Sequence, residues 1–172
     1  MLTTGPTSFC SRAAFFVAIT LSLVGPTNAF SADTSGSNSS TQTAAPDLLI
    51  TARQQISAKL WPQATAELKR VNDTSSADWN NLMGYSLRKS SPPDLAGSEK
   101  FYNEALRIDP KHKGALEYSG ELYLMKGDLP TAEKRLAALS KVCTFGCDEY
   151  TDLKKAVERY KANGNKAVSS TY

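Results

Sequence analysis

One histidine and three cysteines in 172 residues leave little material for catalysis or for a metal centre. His112 stands alone between Lys111 and Lys113. A single imidazole cannot build a zinc site, and nothing beside it completes a nucleophile–base couple. It is expected as a surface residue at the start of a helix. The phosphate-binding loop, G-x-G-x-x-G, H-E-x-x-H and G-x-S-x-G are all missing. Ser86-Leu87-Arg88-Lys89 spells S-x-x-K, but the S-D-N and K-T-G that must accompany it are absent. The expectation is a chain without enzymatic activity, cofactor or resident metal.

Charge of one sign is also scarce. The formal net charge is +3, and acidic and basic residues alternate along the candidate helices. That pattern is a solvated protein surface and excludes a nucleic-acid footprint. Long apolar runs are missing too. Ala13–Val24 falls well short of the roughly 20 residues that cross a bilayer as a helix. It follows Arg12, is broken by Gly25-Pro26, and leads to the small residues Thr27-Asn28-Ala29. Such an order is that of a secretory signal peptide, residues 1–29, cleaved after Ala29 or close by. No stable membrane span then remains, and the chain is expected to be exported, to a periplasm. Cys10 leaves with the signal. Cys143 and Cys147 remain, an even pair in an oxidising compartment. They stand either as a disulfide that pins the last helix or as a redox-active or soft-metal pair, copper(I) for example.

What the chain does contain is helical periodicity. Residues 30–46 are rich in Ser, Thr, Gly, Asn and Ala and read as a flexible leader. Asp47 then caps a stripe of Leu48, Leu49, Ala52, Ile56 and Leu60. Trp61-Pro62 opens a second helix carrying Ala64, Leu68 and Val71. A third starts near Ala77 after the turn residues Asp73–Ser76, with Met83-Gly84 and Leu87. A fourth carries Ser98, Tyr102 and Ala105 and stops at Ile108-Asp109-Pro110. A fifth carries Leu116, Gly120 and Tyr123. Gly127-Asp128-Leu129-Pro130 turns into a sixth, with Ala132, Leu136 and Leu139. A seventh spans 148–162, with Tyr150, Leu153, Val157 and Tyr160 on one face and charges on the other. Residues 165–172 read as a disordered tail.

The stretch Gly114–Leu139 resembles one tetratricopeptide repeat, a helix–turn–helix unit of about 34 residues. Gly120, Tyr123, Ala132 and Leu136 carry the likeness. Gly84 and Gly120 stand 36 positions apart, close to that period. Trp79 sits one position early for the family's tryptophan, and the third repeat lacks the closing proline. The resemblance implies an all-α, antiparallel helix-hairpin solenoid over residues 47–164, of about three repeats and a carboxy-terminal capping helix. It also implies a partner-binding concave face lined by the first helix of each repeat. The family's register places Arg53 there from the first repeat. Asp78, Asn81, Tyr85, Arg88 and Lys89 come from the second, and Glu117, Glu121, Leu124 and Met125 from the third. Tyr85 beside Arg88 offers a flat ring and a fork donor, and Glu117 with Glu121 a negative edge. The implied work is to hold a protein or peptide partner in the cell envelope. Self-association is a further possibility, because solenoid ends and grooves can stack on copies of themselves.

Overall fold

The structure is a computed structural model that describes residues 47–166. The expected signal peptide, the leader and the tail beyond residue 166 lie outside those residues. Among the described residues there are seven α-helices and no strand: α1 (Ile50–Ser57), α2 (Trp61–Val71), α3 (Ala77–Lys89), α4 (Leu95–Ile108), α5 (Lys113–Met125), α6 (Leu129–Val142) and α7 (Asp148–Ala162). Consecutive helices pair as hairpins, α1 with α2, α3 with α4, and α5 with α6. The first helices also touch along one side, α1 to α3, α3 to α5, and α5 to α7. This is the helix-hairpin solenoid with a terminal cap.

Helix starts are set by short polar side chains that take up otherwise unpaired backbone N–H groups. Ser76 accepts from Trp79 N, Asp94 from Gly97 N and Asp128 from Thr131 N. Pro62 and Pro130 stand in the first turns of α2 and α6, where no N–H is needed. The first helix is shorter than its apolar stripe predicts. Asp47 Oδ1 caps Leu49 N at 2.9 Å, and Lys59 turns left-handed (φ 59°) to clear the way for α2. Leu60 therefore leaves the stripe and is 44% exposed.

The core falls into two apolar clusters. Leu49, Ala52, Leu68, Trp79, Leu82 and Met83 lock the first hairpin onto α3. Trp79 reaches back to donate its Nε1–H to Leu68 O at 2.7 Å, so the early tryptophan ties two repeats together. Leu116, Tyr123, Leu124, Ala132, Leu139, Leu153, Ala156, Val157 and Tyr160 join α5, α6 and α7. Burial on this scale is the main favourable term, at about 25 cal/mol per Å² of apolar surface.

Small residues allow the close approaches. A Cβ on Gly120 would lie 2.5 Å from Leu153 Cδ2 and 2.7 Å from its Cδ1. Leu153 is fully buried and has no room to retreat, so Gly120→Ala should push α7 off α5. The expected cost is about 1–3 kcal/mol in urea unfolding, partly recovered by adding Leu153→Ala. A loss under about 0.5 kcal/mol, the ordinary level for a surface change, would show that the cap helix is loosely seated.

Cys143 and Cys147 are joined, with an S–S distance of 2.08 Å. Cys143 is the C-cap of α6 and Cys147 the N-cap of α7. The bridge therefore fastens the cap helix at its entry. In this state neither sulfur offers the thiolate that a soft metal requires, while a disulfide can still take part in redox exchange when an outside thiolate attacks it.

Candidate functional site: a tyrosine–arginine–glutamate cluster between α3 and α5

Residues one repeat apart come side by side on stacked helices. Tyr85 of α3 lies against Tyr118 of α5, ring centroids 4.6 Å apart. Trp61, at the start of α2, meets Tyr85 edge-on at 5.9 Å. The Arg88 guanidinium stacks near both tyrosines, 5.4 Å from the Tyr85 ring and 5.7 Å from that of Tyr118. Its Nη2 meets Glu121 Oε2 at 2.7 Å. The cluster thus joins an aromatic wall to an ion pair across the α3–α5 seam.

The ion pair is not the open fork donor that the sequence suggests. The Arg88 side chain is only 1% exposed, and its Nε and Nη1 have no hydrogen-bond partner. Beneath it Tyr102 is fully buried. The Tyr102 hydroxyl makes no hydrogen bond of ordinary geometry, and burial pushes its pKa well above the usual phenol range. The surfaces that remain reachable are the half-buried tyrosines and the acidic edge.

That edge is unusual. Glu117 is 8% exposed and, among the described residues, has no hydrogen bond or ion pair to hold its charge. Burial pushes its carboxyl up to about 8, helped by the charges of Glu121, Asp152 and Glu149 and opposed by Arg88. Glu149 and Asp152 come from the first turns of α7. Four carboxyl groups thus converge where α5 meets the cap, and two cations answer them: Arg88 on Glu121, and Lys155 at 3.7 Å from Asp152. At neutral pH Glu117 is mostly protonated, so a cationic group brought to this edge would displace its proton.

The other residues picked from the sequence divide into three groups. Arg53 and Asp78 pair with each other at 2.9 Å, and Arg53 also faces Asp47 at 3.7 Å. They form a ladder along the first helices, continued by His112, whose Nε2 lies 2.9 Å from Asp78 Oδ1. His112 Nδ1 accepts from Ala115 N at 3.0 Å and caps α5. That bond leaves the proton on Nε2, which donates to Asp78. Burial alone would raise the Asp78 carboxyl, but the bonds from His112 and Arg53 outweigh it and hold it below the ordinary range. The lone histidine is therefore a helix cap and an inter-repeat link, not a free surface residue. Its signal was its position: His112 follows Asp78 by 34 residues, one repeat period.

Asn81 and Leu124 lie inside the fold. Asn81 is buried with its Oδ1 unpartnered, and Leu124 belongs to the core under α7. Lys89 and Met125 are partly buried at the carboxy-terminal ends of α3 and α5. Burial and the neighbouring Arg88 hold the Lys89 ammonium below its usual range. Trp61 and Tyr118 complete the aromatic wall, although the register from the sequence did not include them.

The geometry can be set beside known proteins. No family model matches the chain, and no curated protein matches it. Among solved structures, the crystal structure of the Yersinia enterocolitica type III secretion chaperone SycD in complex with a peptide of the translocator YopD is similar. The TM-score is 0.57 at 17% identity, over 68% of this chain and 92% of that one. The two share a fold. The likeness supports the hairpin-repeat architecture and carries no residue of one site onto the other.

Proposed function

We propose that the chain is a non-catalytic binding module of the tetratricopeptide kind, holding a segment of a protein partner on the face formed by α3, α5 and the start of α7. The observation that carries this reading is the Trp61–Tyr85–Tyr118 wall beside an under-neutralised acidic edge. Aromatic rings give large contact area at little cost in side-chain entropy, and binding energy concentrates on such anchors. The acidic edge favours a segment with a Lys or Arg directed toward Glu117 and the first turns of α7. The shared fold with a chaperone whose crystal structure holds a partner's peptide supports the same kind of work here. The repeat pattern around Gly84 and Gly120 supports the family reading, and the segment Arg12–Ala29 supports export to a periplasm.

A photoreactive phenylalanine analogue at position 85 should cross-link to a partner protein in extracts of the source cell. The same analogue at the exposed position Ala96, on α4, should not. Tyr85→Ala should weaken binding of the captured partner about 10–30-fold, the loss of one aromatic anchor, with the circular dichroism unchanged. Equal labelling from both positions, or unchanged affinity, would remove the groove as the site.

A further inference from the structure

Glu149 is partly buried, yet among the described residues its carboxylate makes no hydrogen bond and no ion pair. Its neighbours are the two sulfurs that link α6 to α7. A carboxylate oxygen of Glu149, Cys143 Sγ and Cys147 Sγ all lie within 4.8 Å of one another. While the sulfurs are bonded to each other they are poor ligands, so the question is what this group becomes when the bridge is opened.

The bridge is not all that holds the two cysteines together. Gly146 N donates to Cys143 O at 3.0 Å, and Cys143 N to Leu139 O at 2.8 Å. Cys147 caps α7, its Sγ accepting from Tyr150 N at 3.4 Å. Both residues are helix caps, and their Cα atoms are 5.6 Å apart. Two thiolates on one tetrahedral zinc ion stand about 3.8 Å apart, given Zn–S bonds of about 2.3 Å. Side-chain rotation at this Cα spacing reaches that separation. Two thiolates would also add negative charge beside Asp148 and Glu149 in the first turn of α7, which a divalent cation offsets. The donor set selects among cations. Magnesium and calcium take oxygen ligands, and copper(I) selects sulfur, whereas zinc accepts thiolate and carboxylate together.

We propose that in the reduced chain Cys143, Cys147 and Glu149 hold one divalent ion of the zinc class, with water in the fourth position. A dithiol opens the site. One of its thiolates attacks a sulfur of the bridge, the other sulfur leaves and takes a proton, and the second thiolate of the reductant resolves the mixed disulfide. The reductant carries away the disulfide, and the chain gains two electrons and two protons. Metal binding then releases both protons from the thiols. The inference does not rest on the α3–α5 groove.

The full chain is reduced with dithiothreitol, freed of it without air, and titrated with cobalt(II) and then zinc. One cobalt per chain should bind, with a thiolate-to-cobalt charge-transfer band and the visible bands of a tetrahedral site. Zinc should displace it with Kd of the order of 10⁻⁷ M. The oxidised chain should show no such band. Glu149→Gln should weaken zinc binding about tenfold or more. Asp148→Asn, the same change of charge on the exposed neighbour, should bind as the wild type does, and so should Tyr85→Ala. Circular dichroism should show the helices retained on reduction. No thiolate band in the reduced chain, or two chains per ion, would overturn the proposal. So would a Glu149→Gln chain that binds as the wild type does, or an Asp148→Asn chain weakened as much. Loss of helix on reduction would overturn it too, since the three donors would no longer share a site.

Discussion

Glu121→Ala should destabilise the fold by about 3–5 kcal/mol, the cost of leaving a buried charge without its partner. The reason lies in what surrounds Arg88. Its side chain is 1% exposed, and Glu121 supplies its salt bridge at 2.7 Å. Nε and Nη1 already lack hydrogen-bond partners of ordinary geometry, so without Glu121 the cation is left to the Tyr102 hydroxyl and to Glu117, whose carboxyl burial keeps largely protonated. The Tyr85 and Tyr118 rings give the cation some relief, but only about 0.5–2 kcal/mol each at such contacts. Replacing both partners by apolar residues of similar size, Arg88→Met with Glu121→Leu, should recover most of the loss, since paired buried charges are commonly matched by good packing. Urea unfolding of Arg88→Met, Glu121→Leu and the double variant measures the coupling directly. A Glu121→Ala chain within about 1 kcal/mol of the wild type, the range of exposed ion pairs, would mean that water reaches Arg88.

The contrast between this pair and the ladder Arg53–Asp78–His112 shows what could be read from the sequence. The hairpins were legible because the helices carry their own periodic stripes, and several add a cap such as Ser76 or Asp94, or a proline or glycine at a turn. The expected spans of α3 and α7 begin where the structure begins them, and Gly120 packs against Leu153 as a small residue at a crossing should. The register likewise brought Tyr85, Arg88, Glu117 and Glu121 to one seam. It could not give depth. A helix position fixes which face a side chain leaves from, but the neighbour one repeat away decides whether that face stays open. Tyr118 and the α7 carboxylates close over Arg88 and Glu117, and those contacts are set by packing between repeats. Arg53 and Asp78 went the other way: placed on the same face, they are spent on each other and on His112. Comparing residues one period apart, and not each helix alone, is the step that would have exposed both outcomes.

Glu117→Gln should stabilise the chain at high pH and leave it unchanged in acid. The buried carboxyl is pushed up to about 8 in the folded chain, against about 4.3 for a free glutamate. Between those values the folded state holds a proton that the unfolded state has released. Stability from this group is therefore complete below about pH 4 and is lost as the pH rises through 8. The groups that set the shift are Glu121 on the same helix, Glu149 and Asp152 on α7, and Arg88 on α3. Glutamine mimics the protonated form and removes the titration. The expected gain for the variant is about 1–3 kcal/mol at pH 9, or roughly 5–10 °C in Tm for a domain of this size. Near pH 4.5 the two chains should melt together. Partner binding gives an independent reading of the same group. A Lys or Arg arriving at the acidic edge releases the Glu117 proton, so affinity for the wild type should rise with pH toward 8, while the glutamine variant should lose that slope. Equal stabilisation at both pH values would show that Glu117 is already charged in the folded chain, and the proton would then have no part in binding.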